Sequence, residues 1–185
     1  MFLVAGLGNP GEDYADTRHN AGFCAVDEIA PKVGANFWKQ ECGCLTAKGT
    51  WQSTEVVLAK PQSFMNTSGG PVKQAMKTYN IDCNHLIVIH DELDIAPGSI
   101  RVKFGGGHAG HNGLRSICDK LCNRDWFRVR AGIGRPPGQM PVVKWVLARP
   151  KGELADAFEQ SVNKAAEATL FLIENGLEKT QQKFN

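Results

Sequence analysis

Apolar positions along the chain change period several times, and each change marks an element. FLVAG at 2–6 is a short apolar run broken by glycines, the pattern of a first strand entering a tight loop. From Ala21 onward, Phe23, Val26, Ile29 and Ala30 recur at helical spacing, and Pro31 and Gly34 limit that helix. Residues 42–59 read as two strands about a polar turn at Gly49–Thr50, the second being EVVLAK. After PQSFMNTSG, the residues Val72, Ala75, Met76 and Tyr79 share one side of a helix whose start lies near Thr67 or Ser68, either able to cap exposed amides. LIVI at 86–89 is unbroken, as expected of a central strand covered on both faces, and the polar HDELD that follows projects from its carboxyl end.

Residues 99–104 read as another strand, followed by the loop GGGHAGHNG and a helix carrying Leu114, Ile117, Cys118 and Leu121. FRVRAGIG alternates, with its arginines opposite Phe127, Val129 and Ala131. A glycine- and proline-rich loop at 134–141 precedes VVKWVLA, which reads as a short strand. From Glu153 the residues Leu154, Ala157, Phe158, Val162, Ala165 and Leu172 form a helical stripe that stops at Gly176. Strands interleaved with helices, some strands too close together for helical crossovers, define an α/β class: a single three-layer αβα domain over residues 1–185 around a twisted mixed β-sheet.

Composition changes this picture little. With 42% hydrophobic and 22% charged residues in 185, the chain is neither disordered nor fibrous. No run of 18 apolar residues occurs, and MFLVAGLGNPG lacks the features of a signal peptide, so a cytoplasmic location without membrane partners is expected. The six cysteines read as reduced thiols, since the close pairs at 42/44 and 118/122 match neither CxxC nor finger spacing.

Charge is more telling. Residues 101–151 hold eleven basic side chains against two acidic ones, a net +9 in a chain whose total is +2. That asymmetry suits a protein that holds a polyanion on one side.

Several motifs compete as the seat of chemistry. Gly6-Leu7-Gly8-Asn9-Pro10-Gly11 is a literal GxGxxG, but no apolar helical stripe follows until Phe23 and no acid stands at the end of a second strand. A dinucleotide-dependent oxidoreductase is therefore a weak reading. No GxSxG elbow is present, and Cys24 shares an apolar helical stretch, which makes it core. His108 and His111 form HxxH in a glycine-rich loop rather than on a helix, so no metal is assigned. His19, at a loop-to-helix boundary, is the best candidate general base. Asp91 is its best-placed orienting carboxylate, with Glu92 and Asp94 as alternatives. Asn9, Asn66 and Asn112 each sit in small-residue loops, where an amide can donate to a developing oxyanion or simply form a turn or helix cap.

Taken in order, GLGNPG at 6–11, Tyr14 with TRHNAGF at 17–23, KPQSFMNTSG at 60–69, HDELD at 90–94, GGGHAGHNGLRSI at 105–117 and RVRAGIGRP at 128–136 closely resemble the bacterial-type peptidyl-tRNA hydrolases. The resemblance implies hydrolysis of the ester between an N-blocked peptide and the 3′-terminal ribose of tRNA, by a cytoplasmic monomer without cofactor or required metal. It implies His19 as the essential base, Asp91 as its partner and Asn9 beside the scissile ester. Asn66 and Asn112 would bind the peptide and a water, Met65 would form an apolar wall, and Tyr14 would lie beside the tRNA 3′ end. Lys103 and Arg130 would hold phosphates of the acceptor stem. A non-catalytic RNA-binding module remains the alternative from a different class.

Overall fold

A computed structural model describes residues 1–185. Seven strands form one sheet: β1 (Phe2–Gly6), β2 (Lys39–Glu41), β3 (Cys44–Trp51), β4 (Thr54–Pro61), β5 (Leu86–Glu92), β6 (Ile100–Phe104) and β7 (Phe127–Gly132). Their order across it is β2-β3-β4-β1-β5-β7-β6. The four central strands β4, β1, β5 and β7 run parallel, while β2, β3 and β6 are antiparallel to their neighbours. Helices are α1 (Ala21–Lys32), α2 (Gly69–Thr78), α3 (Asn112–Leu121), α4 (Val142–Val146), α5 (Glu153–Asn175) and α6 (Leu177–Phe184).

The strand alternation divides the core into two layers. Val4, Ile87, Ile89 and Val129 meet α1 and α5 on one face. Leu3, Ala5, Val57 and Val88 meet α2 and α3 on the other. This is the expected three-layer α/β arrangement around a mixed sheet. α1 returns the chain to the β4 side of β1, and α2 then carries it past β1 to β5. The order therefore reverses at β1, and the crevice beyond the carboxyl ends of β1 and β5 is where open parallel sheets bind ligands.

Three local expectations are corrected. The reversal between β3 and β4 lies at Gln52 and Ser53, both with positive φ (43° and 67°), rather than at Gly49–Thr50. Gly49 is instead a strand residue against the end of α1, where a Cβ would come within 2.3 Å of the Val33 carbonyl oxygen. Neither Thr67 nor Ser68 caps α2 with its side chain; the Ser68 hydroxyl donates to the Met65 carbonyl instead (2.8 Å). The segment VVKWVLA is helical as α4 rather than a strand, because Pro141 sets up its first turn and Trp145 is held from both sides by tertiary contacts described below. The stripe from Glu153 does stop at Gly176, which ends α5, and a separate helix, α6, follows to Phe184.

Candidate active site

The elements that end at the β1/β5 crevice surround a cleft of about 480 Å³. Asn9, His19, Met65, Asn66, Asp91 and Asn112 all line it, drawn from five separate stretches of sequence. An apolar wall of Phe64, Val142, Val143, Val146 and Leu147 faces these polar groups.

The glycines of GLGNPG explain how His19 arrives there. A Cβ on Gly6 would lie 2.2 Å from the Gly22 carbonyl oxygen, and one on Gly22 would lie 2.3 Å from both the Leu7 nitrogen and the Ile89 carbonyl oxygen. The glycines thus let the first turn of α1 press directly on the strand ends, which is a packing role and not a phosphate cradle. That contact sets the 18–20 turn, and His19 with it, above the end of β5.

The His19 Nδ1 and Asp91 Oδ2 are 2.8 Å apart, with Asp91 almost fully buried. Nδ1–H donates to the carboxylate, so Nε2 carries the lone pair. Burial alone would lower the basicity of His19, but the Asp91 charge and hydrogen bond outweigh it and raise the pKa above the ordinary 6.5. Burial likewise works against ionisation of Asp91, yet His19 and His111 together hold its pKa far below the usual carboxylate range. Glu92 and Asp94 do not reach His19; they pair with Arg130 and Arg135.

His111 shares the same carboxylate. Its Nε2 lies 2.7 Å from Asp91 Oδ1, while its Nδ1 accepts the backbone N–H groups of Gly113 (3.1 Å) and Leu114 (3.3 Å). The helix amides therefore fix its tautomer with the proton on Nε2. His111, not Asn112, is the cap of α3. His19, Asp91 and His111 offer three ligand-type atoms within 4.8 Å of one another, whereas the His108 ring accepts only the nearby Gly110 N–H. A metal at this trio would have to displace both protons that now bridge to Asp91.

Asn9 is held on both sides. Asn20, fully buried, accepts from the Asn9 N–H and donates to the Asn9 carbonyl, both at 2.9 Å. The Asn9 side-chain oxygen accepts the Met65 N–H at 2.7 Å. With that oxygen committed, the NH₂ is the end of the amide available to the cleft. The side chains of Asn66 and Asn112 are exposed at its rim, and Tyr14 stacks edge-on against Phe64 at 6.4 Å.

Lys103 and Arg130 lie outside the cleft, on the two strands beyond β5. Glu92 links the two regions, because it lines the cleft and accepts from Arg130. Burial, Arg130 and Arg128 all lower the pKa of Lys103. Arg128, counted in the sequence among the basic face, is completely buried. It donates to the carbonyls of Gly107 (2.5 Å), Gly106 (2.6 Å) and Arg124 (3.1 Å), and so pins the loop leading to His111.

Sequence reasoning missed Asn20, the capping role of His111 and the internal role of Arg128. Asn20 stood beside His19 but showed no partner, and histidine is not among the residues that normally announce a helix start.

The comparisons with known proteins agree along the whole chain. A family model described as peptidyl-tRNA hydrolase matches residues 3–185. The chain is 47% identical to the peptidyl-tRNA hydrolase of Frankia alni, covering 100% of this chain and 93% of that one. It is 47% identical to that of Mycobacterium marinum, covering 98% and 96%. A crystal structure of peptidyl-tRNA hydrolase from Acinetobacter baumannii matches with a TM-score of 0.92 at 35% identity, covering 99% and 93%.

Proposed function

The chain belongs to the peptidyl-tRNA hydrolase family and cleaves the ester joining peptide to tRNA, and we propose that His19, steered by Asp91, is the base of that reaction. The observation that carries this is the 2.8 Å bond between Nδ1 and Asp91, which leaves Nε2 free beside the cleft.

In the proposed sequence, Nε2 takes a proton from water as the water oxygen bonds to the ester carbonyl carbon. The C=O electron pair moves onto oxygen, and the Asn9 NH₂ donates to that oxyanion. Collapse re-forms the carbonyl and breaks the carbon–oxygen bond to the 3′-terminal ribose, whose oxygen takes the proton back from His19. Asp91 remains ionised throughout and favours the transient imidazolium. Asn66 and Asn112 hold the peptide backbone and the attacking water, Met65 shapes the wall behind them, and Tyr14 lies along the entering 3′ end. A cleft that reads the first peptide group disfavours unblocked aminoacyl-tRNA, whose α-ammonium would be buried without a partner.

Lys103 and Arg130 contact phosphates of the acceptor stem. Such contacts recognise the A-form backbone and not base sequence, which suits a substrate whose tRNA varies. No helix is long and apolar enough to cross a membrane. Because one chain supplies every group in the cleft, the reading is of a monomer, acting in the cytoplasm where translation leaves its substrate.

Replacing His19 with Ala tests the base. Hydrolysis of an N-blocked peptidyl-tRNA should fall by about 10²- to 10⁴-fold with melting temperature and tRNA affinity largely unchanged. Hydrolysis near the wild-type rate would remove His19 from the mechanism. Lys103→Ala should raise KM for the full substrate and reduce the slope of log K against log salt by about one. An unchanged slope would argue against a phosphate contact there.

A further inference from the structure

We propose that Glu92 is a built-in competitor for RNA phosphate, occupying Arg130 in the free protein and giving it up when the acceptor stem binds. The inference rests on the reading of Arg130 as a phosphate ligand and extends it to the group that holds Arg130 beforehand.

The register of the sheet places the relevant charges on one face. Arg101 lies opposite Arg130, Lys103 lies opposite Arg128, and His90 of β5 lies beside Arg130. Glu92, two residues beyond His90, projects on the same side. Its Oε1 accepts from both Nε (3.0 Å) and Nη2 (2.8 Å) of Arg130. Lys103 and Arg101 make no ion pair, and Arg128 directs its charge to carbonyls. Glu92, through Arg130, is thus the one carboxylate paired within this group of four basic side chains.

A carboxylate oxygen and a phosphate oxygen make the same charge-assisted bonds to a guanidinium fork. Only 21% of the Arg130 side chain and 12% of the Glu92 side chain are exposed, so water screens the pair less than it would on an open surface. A phosphate brought to Lys103 and Arg101 therefore meets an arginine already neutralised. It must either share the fork with Glu92 against their mutual repulsion or displace it. The consequence is a weaker grip on tRNA than the cations alone would give, set by the residue that follows Asp91 on β5. That favours release of the deacylated product, which carries the same stem as the substrate.

The charge and the shape of Glu92 can be separated. In Glu92→Gln the amide oxygen can still accept both Arg130 N–H groups, so the guanidinium keeps its place while the competing charge is gone. Affinity for a 5′-phosphorylated acceptor-stem RNA hairpin, measured at fixed salt, should then rise by about threefold to tenfold. Cleavage of a short N-blocked ester lacking the stem, measured in parallel, separates any effect on the cleft that Glu92 also lines from its effect on stem binding. Glu92→Asp, which draws the carboxylate back by one methylene, should shift affinity in the same direction by less, and it serves if the Gln variant folds poorly. Combining Glu92→Gln with Arg130→Ala should abolish the gain.

Unchanged or weaker binding by both Glu92 variants would overturn the proposal. So would a gain that persists without Arg130, since the charge would then act on the stem generally and not through that residue. Arg130→Ala alone tests the underlying reading: if it leaves affinity intact, Arg130 is no phosphate ligand. If it weakens binding while the Glu92 variants fail to strengthen it, only the competitor role falls.

Discussion

At the scale of single residues, the site depends on side chains whose hydrogen-bonding ends are fixed by backbone groups. Asn20 satisfies both backbone groups of Asn9, and Met65 fixes which end of the Asn9 amide faces the cleft. Removing Asn20 would leave a buried N–H and C=O without partners, at a cost of about 1–3 kcal/mol each. His90 shows the same dependence from the titration side. Its Nδ1–H donates to the Asp91 carbonyl at 2.7 Å and its Nε2 has no partner. Burial, reinforced by His111 and Arg128, pushes its pKa down to about 3. Below the ordinary histidine value, the unfolded chain takes up a proton that folded His90 refuses. Its contribution is therefore complete above about pH 6.5 and declines as pH falls toward 3, by up to about 1.4 kcal/mol per pH unit. Denaturant unfolding at pH 4.5 and 6.5 should show a smaller loss in His90→Leu than in the wild type; equal losses would mean that His90 does not carry the acid sensitivity. The sequence made His19, Asp91 and Asn9 visible because each stands at an element boundary. It did not reveal Asn20 or His111, whose importance lies in bonds to residues brought close only by folding.

At the scale of elements, α4 is the clearest difference between pattern and structure. Val142, Val143 and Val146 suggest a strand, but four contacts hold the segment as a short helix along the cleft. The buried Arg18 stacks on Trp145 at 3.5 Å from the ring centre and donates to the Trp145 (3.2 Å) and Ala148 (3.3 Å) carbonyls. Trp145 Nε1 donates to the Gly134 carbonyl at 2.9 Å. The residue preceding His19 thus ties the apolar wall to the turn that carries His19. Trp145→Ala should destabilise the fold by about 3–5 kcal/mol and lower kcat/KM on peptidyl-tRNA, while affinity for deacylated tRNA changes little. An equal loss of tRNA affinity would mean that α4 supports the RNA face and not the peptide end. At the other edge of the sheet, the Asn185 side chain accepts the Val102 N–H at 2.8 Å and donates to the Val102 carbonyl at 2.9 Å. The end of α6 thereby covers part of the open edge of β6, the strand that carries Lys103. Long periodic segments such as α1 and α5 were legible because their stripes face a continuous core. α4 was not, because contacts distant in sequence decide it.

At the scale of the whole molecule, the sheet separates two tasks. The ends of β1 and β5 assemble the cleft proposed for hydrolysis, and β6 and β7 beyond them present cations. The charge asymmetry in the sequence pointed to a polyanion but overstated the free charge. Arg128 is internal, Arg130 and Arg135 are paired with carboxylates, and Arg149 donates to the carbonyls of Glu12 and Asp13. Linear sequence records the number of charges and not their partners. The pH dependence of kcat/KM for wild type and Asp91→Asn tests the central claim most directly. A general base must be unprotonated, and Asp91 holds His19 protonated to higher pH. The wild-type acid limb should therefore lie above the ordinary histidine value of 6.5. In Asp91→Asn only burial remains to act on the imidazole, so that limb should move below 6.5 as the maximal rate falls. Superimposable acid limbs in the two proteins would contradict an Asp91-steered His19 as the base.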